Sequence, residues 1–210
     1  GGPTLIEVLD GMEPEEIVAK PLRFVVQDTY SVDSVDVLVG RVESGTMTKG
    51  DELVFQPSGL RQTVEKIVVF PKEVGRANPG DSVGVVTGGR LNRGDVGGHP
   101  QMPPLPVRRF LGEVVLLEGT MHTGDEFELK CGTKKTRCLV ENIRERISSE
   151  TGEVIGQNPS QIRANEAATV IFSSEPMVVE KFYDIPELGR FVLVRDGKNV
   201  GAGIVLEPLT

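Results

Sequence analysis

The chain has 210 residues, 38% of them hydrophobic, with 25 glycines, 14 prolines and no tryptophan. That length accommodates one or two domains with aliphatic cores, the Gly and Pro density leaves little room for long helices, and the apolar fraction excludes a wholly disordered chain. A net charge of −8 repels polyanions at long range, which excludes indiscriminate adhesion to nucleic acid or anionic membrane but not a local basic patch.

Thr4-Leu5-Ile6-Glu7 forms a capping box that predicts a short helix ended by Gly11, and at about two turns such a helix needs something to pack on. The acidic run Glu13-Pro14-Glu15-Glu16 then leads to a first β-barrel. Its strands are expected near residues 22–27, 37–43, 52–56, 61–70 and 82–86, with turns at Asp33-Ser34, Pro57-Ser58-Gly59 and Asn78-Pro79-Gly80-Asp81, and the alternation from Arg61 to Val69 predicts one buried face. Pro100, Pro103, Pro104 and Pro106 mark a stiff, extended linker. A second barrel follows, with strands near 109–117, 126–131, 136–147, 167–172, 177–182, 190–195 and 199–206. Asp196-Gly197 is the two-residue hairpin signal between the last two.

The pattern Gly-Thr-Met-x-x-Gly-Asp-Glu occurs at Gly45 and again at Gly119, each time after a β-branched run and before another strand. The copies lie 119 − 45 = 74 residues apart, a period suited to one small barrel, and Gly-Asp in that setting reads as hairpin chemistry. The expected organisation is therefore all-β: residues 1–19 as a helix and linker, 20–96 as one small β-barrel, 97–106 as the Pro-rich linker and 107–210 as a second barrel.

Cys131 and Cys138 flank a turn that includes Gly132 and Thr133. Either a disulfide across that hairpin or two reduced strand cysteines would fit, and reduced thiols are the expected state. With His99 and His122 as the only histidines, no zinc site can be assembled at finger-like spacing. No nucleophile elbow and no His-x-x-x-His pair occurs. Gly40-Arg41-Val42-Glu43-Ser44-Gly45-Thr46-Met47 has the glycine spacing of a phosphate loop but lacks its Lys and Ser/Thr, so the glycines are expected in a strand and its turn. No catalytic or metal-binding residue is predicted. No apolar run reaches the roughly 20 residues of a membrane span, and the start of the chain lacks a basic-then-apolar leader, so a cytoplasmic protein without membrane contact is expected. The binding candidates are basic: Lys134, Lys135 and Arg137 near one hairpin tip, Arg144 and Arg146 on one strand face, and Arg190, Arg195 and Lys198 near the last hairpin.

Tyr183-Asp184-Ile185-Pro186-Glu187-Leu188-Gly189-Arg190-Phe191-Val192, continuing to Val205, resembles the carboxyl-terminal signature of translational GTPases of the elongation factor one-alpha and Tu type. Thr151-Gly152-Glu153-Val154 followed by Asn158-Pro159 resembles the archaeal and eukaryotic branch. Lys20-Pro21-Leu22-Arg23, Gln27-Asp28-Thr29-Tyr30-Ser31 and Val39 to Gly45 are similar to the opening of that family's second domain, and Gly2 to Glu7 looks like the end of its GTPase domain. The resemblance implies domains two and three of a three-domain protein whose missing nucleotide domain holds GTP and Mg, with no cofactor on this part. It implies contact with aminoacyl-tRNA, the ribosome, the protein's own GTPase domain and a nucleotide-exchange factor. Phe70 would serve at the pocket for the RNA 3′ end; Lys134, Lys135, Arg137 and Lys198 would contact the T-stem, with Arg190 a further RNA- or partner-binding candidate.

Departures from the pattern matter. Ile67-Val68-Val69-Phe70-Pro71 stands where the family's elongation members carry a carboxylate and imidazoles, and Gly132 replaces a usual His. Loss of those polar anchors favours a second expectation, a paralogue carrying a tRNA-shaped release or ribosome-rescue factor. The GTPase subunit of a sulfate adenylyltransferase has similar barrels and is a third, which the block from Thr151 to Pro159 opposes.

Overall fold

The computed structural model describes residues 20–32, 35–148 and 151–209. The helix expected from Thr4 to Gly11, the linker to residue 19 and the turn at Asp33-Ser34 lie outside these. In chain order the elements are β1 (Arg23–Val32), β2 (Val35–Ser44), β3 (Met47–Thr48), β4 (Glu52–Gln56), β5 (Leu60–Thr63), β6 (Lys66–Val69), β7 (Lys72–Val74), β8 (Arg76–Ala77), β9 (Ser82–Val86) and β10 (Val96–Gly98). There follow β11 (Pro106–Leu116), β12 (Thr120–His122), β13 (Glu126–Cys131), β14 (Lys134–Ile147), β15 (Val154–Gln157), β16 (Gln161–Arg163), β17 (Ala167–Val178), a single-turn α1 (Pro186–Gly189), β18 (Arg190–Arg195) and β19 (Lys198–Leu209).

The architecture is two tandem small barrels of antiparallel strands. The first sheet runs β5-β4-β10-β1-β2-β9-β6-β7, and the second runs β13-β18-β19-β11-β17-β14 and closes on itself through a β13–β14 ladder, with β15 appended to β14. In the first, β5 and β6 stand near opposite ends of the sheet order yet are joined by Val64 and Glu65, so the chain curls the sheet by stepping from one end to the other. The strand expected over 61–70 is divided there because Val64 spends both backbone groups on a neighbouring turn, donating to the Asp51 carbonyl at 2.9 Å and accepting from the Gly50 amide at 2.8 Å.

That reciprocal grip recurs. Gly80 and Asp81 hold Val42 in the same way, Gly94 and Asp95 hold Val26, Gly124 and Asp125 hold Val140, and Asn165 and Glu166 hold Leu116. In each turn a carboxylate accepts the amide three residues earlier: Thr48 to Asp51, Asn78 to Asp81, Asn92 to Asp95, His122 to Asp125 and Arg163 to Glu166. The third turn position has positive φ, 91° to 94° for Gly50, Gly80, Gly94 and Gly124 and 68° for Asn165, a region that glycine enters freely and asparagine tolerates. All five gripped side chains are buried at 1% exposure or less for Val26, Val42, Val64, Leu116 and Val140. The repeated octapeptide thus does not make hairpins: β3 pairs with β8 and β4 with β5 and β10, while β12 pairs with β16 and β13 with β14 and β18. Its Gly-Asp turns a corner between sheets and clasps a passing strand.

The cores are aliphatic with a few rings. Phe24 meets Phe55 edge-on in the first barrel, and Phe110, Phe172 and Phe191 lie with centroids 5.4 Å apart in the second; each such burial contributes roughly 1.5–3 kcal/mol. The strand expected at 167–172 runs on to Val178 as β17, where Pro106 still pairs with it, and takes in only the first two residues of the strand expected at 177–182; residues 179–182 are not strand. Two glycines and a proline expected in the linker belong to strands: Gly97 and Gly98 pair with Phe55 and Val54 in β10, and Pro106 opens β11. The segment between is anchored at two points, since Arg23 donates to the Met102 carbonyl at 3.0 Å and His99 meets Asp51 at 3.0 Å.

The barrels meet along a seam. Val25 and Val96 of the first pack with Val178, Ile185 and Leu188 of the second. Around them Arg23, 6% exposed, pairs with Glu180, Lys20 donates to the Asp184 carbonyl at 2.6 Å, and Thr133 Oγ1 donates to the Val26 carbonyl at 2.7 Å. The helix α1 was not expected; it starts at Pro186, and Gly189 lets it lie on Phe182, where a Cβ would come within 2.3 Å of the Phe182 Cα.

Two stability outcomes are expected in urea unfolding monitored by circular dichroism. Asp51→Ala removes the carboxylate from a clasp and costs about 1.5–3 kcal/mol. Arg23→Ala strands Glu180 beside the seam and costs about 3 kcal/mol, whereas an exposed control such as Lys72→Ala stays within about 0.5 kcal/mol of the parent.

Candidate functional site

One candidate site is built by two hairpins of the second barrel. Cys131 pairs with Lys134 across the two-residue turn Gly132-Thr133, and in the extended strand beyond it the exposed side chains alternate, placing Lys135 and Arg137 on one face. Arg195 pairs with Lys198 across Asp196-Gly197, whose φ values of 52° and 77° are those of the tight hairpin turn expected from the sequence. Between the hairpins lies a groove of ≈ 590 Å³ that includes Lys135, Thr136, Arg137, Phe127 and Arg195 with Glu126, Glu128 and Asp196. Among the described residues neither Lys135 nor Arg137 has an ion-pair partner, and Lys198 stands next to the same turn.

Arg195 is spoken for. Its Nη2 donates to Asp125 Oδ2 at 2.9 Å, its Nη1 donates to the Thr120 carbonyl at 3.2 Å, and its guanidinium carbon lies 4.2 Å above the centre of the Phe127 ring. Burial alone would raise the Asp125 carboxyl, but the His122 amide and the Arg195 guanidinium outweigh it and hold the group below the ordinary carboxylate value.

The other candidates go elsewhere. Lys134 faces the seam: a Cβ on Gly94 would lie 3.1 Å from the Lys134 Cα, so the loop carrying Arg93 abuts it. Arg93, which sequence reasoning missed, donates to the Gln27 carbonyl at 2.9 Å; the Arg-Gly-Asp run at 93–95, parallel to the other Gly-Asp turns, was the available signal. Arg190 lines a second groove of ≈ 580 Å³ between the barrels. There each cation has a carboxylate: Arg41–Glu43 at 3.6 Å, Lys130–Glu128 at 3.5 Å and Arg190–Glu187 at 3.4 Å. Burial pushes the Glu43 carboxyl up, Arg41 opposes this, Glu187 across the seam adds to it and Arg190 opposes it. Phe70 lines neither groove; it sits at the β6–β7 tip, beside the Val69–Lys72 pair, 92% exposed.

Both cysteines are free; Cys131 is opposite Lys134 and Cys138 opposite Phe127, and burial pushes each thiol up to about 12, so neither is a thiolate at neutral pH. Among the described residues no three His, Cys, Asp or Glu side chains cluster in a way that could hold a metal ion. The residues do not fit a nucleotide phosphate either. Gly40 lies in β2, where a Cβ would come 2.4 Å from the Val25 carbonyl oxygen, Gly45 turns toward β3, and no helix N-terminus follows.

Because its folded carboxyl is held low, Asp125 contributes stability that is complete above the unfolded value of about 3.9 and is lost as pH falls through the folded one. Asp125→Asn is therefore less stable than the parent at pH 7, and the gap closes below about pH 4 in thermal melts across that range.

Residues 109–206 match a family model described as GTP-eEF1A C-terminal domain-like, and residues 36–97 match Elongation factor Tu domain 2. The elongation factor 1-alpha of Archaeoglobus fulgidus is 37% identical over 215 residues, covering 98% of this chain and 51% of that protein. That of Ignicoccus hospitalis is 37% identical over 217 residues, covering 98% and 49%. The chain thus spans about half the length of the curated relatives it matches. Crystal structures of sup35 complexed with GDP and with GMPPNP superpose with TM-scores of 0.87 and 0.88 at 23% identity, over 100% of this chain and 53% of theirs, a likeness of fold.

Proposed function

The chain belongs to the elongation factor 1-alpha family of translational GTPases, carrying its two β-barrel domains, and on that basis we propose that it binds aminoacyl-tRNA for delivery to the ribosome. On this reading GTP and Mg belong to a separate nucleotide domain, whose state changes how the barrels are presented, and a nucleotide-exchange factor resets it in the cytoplasm. The observation that carries the reading is the pair of unpartnered cations, Lys135 and Arg137, exposed side by side in the barrel-two groove. A net charge of −8 sets the far field against RNA, so affinity has to come from cations that are not tied up in ion pairs, even where carboxylates such as Glu126, Glu128 and Asp196 share their groove. Phe70 adds an aromatic face on which an unpaired base can stack.

The second reading, a carrier of a tRNA-shaped release or rescue factor, draws on the β6–β7 tip. Val68, Val69, Phe70 and Pro71 offer apolar surface in a place where a free aminoacyl group would need hydrogen-bond acceptors, and the nearby Glu73 is paired with Lys49 at 3.1 Å. Retention of a release-factor-like protein in a pull-down, together with no preference for charged over uncharged tRNA, is the outcome that favours it.

Fluorescence anisotropy with aminoacylated and deacylated tRNA over a salt series tests the first reading. Binding favours the aminoacylated form, and Lys135→Ala and Arg137→Ala each lessen the slope of log affinity on log salt by roughly 0.7–0.9. Equal affinity for both tRNA forms, or slopes unmoved by either substitution, would contradict it.

A further inference from the structure

We propose that Arg195 is the positioning residue of the barrel-two groove, fastening the β18–β19 hairpin to the Asp125 clasp so that Lys135 and Arg137 face one RNA backbone. The inference rests on the tRNA-binding reading above. Its starting point is where the strand ladder stops. β13 pairs with β18 from Cys131–Phe191 to Glu128–Val194, and beyond Val194 no further ladder pair joins the hairpin to the start of β13. The side chain of the next residue bridges the gap: Arg195 reaches Thr120 in β12, Asp125 in the corner turn and the ring of Phe127 in β13. Three consecutive pieces of one corner are thereby tied to the hairpin tip.

The same corner sets the cations. Phe127 pairs with Cys138 and Glu128 with Arg137, so the strand under the Arg195 guanidinium is the strand on which Arg137 and Lys135 are hung. Both terminal nitrogens of Arg195 are committed to protein acceptors and one face of its plane covers a phenyl ring, which leaves it a holder of the groove wall and leaves phosphate contact to its neighbours. The planar fork suits this: it holds two acceptors at the spacing of its two terminal nitrogens while the guanidinium lies over a ring, whereas a lysine ammonium is a compact point charge on a flexible stem.

Asp125 makes the idea separable from plain electrostatics. Removing a negative charge beside a polyanion site strengthens binding if the charge acts only through its field. If Asp125 acts by holding Arg195, removing its charge weakens binding.

The test measures anisotropy of fluorescently labelled tRNA with the 210-residue chain over a salt series, for the parent, Arg195→Lys, Asp125→Asn and Lys135→Ala, each first shown to be folded at the assay temperature by its thermal melt. Arg195→Lys and Asp125→Asn bind about tenfold more weakly with the parent's salt slope, while Lys135→Ala lowers the slope by roughly 0.7–0.9. Arg195→Lys binding like the parent, or Asp125→Asn binding more tightly, overturns the proposal while leaving the RNA-binding reading intact. A Lys135→Ala slope equal to the parent's fails that reading itself, and the proposal with it. Should Arg195→Lys not fold, the sign of the Asp125→Asn effect decides alone.

Discussion

A turn that takes hold of a passing strand by both backbone groups of one residue governs how this chain becomes two barrels. Small curled sheets have corners where strands change partners, and at each corner an amide and a carbonyl would lose their ladder bonds inside the protein. The Gly-Asp turn supplies both partners at once, and its carboxylate accepts one of the turn's own amides. The gripped residue then points a buried aliphatic side chain into the core, so the polar and apolar demands of the corner are met at one position. The clasp around Val26 carries more: its carbonyl also accepts from Thr133 of the other barrel, which ties the seam to the first barrel's corner.

The proposed function follows from which charges these corners leave outside ion pairs. In the seam groove, carboxylates from both barrels accompany Arg41, Lys130 and Arg190, and partial burial pushes the Glu43 carboxyl up. In the barrel-two groove the clasp carboxylate of Asp125 pairs with Arg195, and Lys135 and Arg137 form no ion pair although Glu126, Glu128 and Asp196 line the same groove. On the proposed RNA-binding reading this sorting matters, since isolated surface ion pairs contribute little to stability while a cation pair outside any ion pair is available for phosphate contact.

Much of the fold was legible. The duplicated octapeptide, the alternation of the strands and Asp196-Gly197 point to two all-β units, because local chemistry suffices for a strand or a two-residue turn. What the Gly-Asp turns do was not legible as read: the dipeptide suggested hairpins, whereas the partner each turn grips lies far along the chain. The split of the 61–70 strand, the fusion of the strands at 167–178 and the glycines of β10 are likewise consequences of pairing decided at long range. In the site, residue type alone nominated Lys134, Lys135, Arg137, Arg190 and Lys198 together; the alternation of one strand separates Lys134 from Lys135, and only the carboxylates around Arg190 show it to be neutralised. The Arg195–Asp125 contact joins residues 70 positions apart, beyond any motif.

Amide hydrogen exchange by NMR bears most directly on the claim that the clasps hold the barrels. If they do, the amides of Val26, Val42, Val64, Leu116 and Val140 exchange only through global unfolding, at rates that track the stability measured in urea. Exchange of these amides through local fraying, as fast as that of the edge strand β7, would contradict the account.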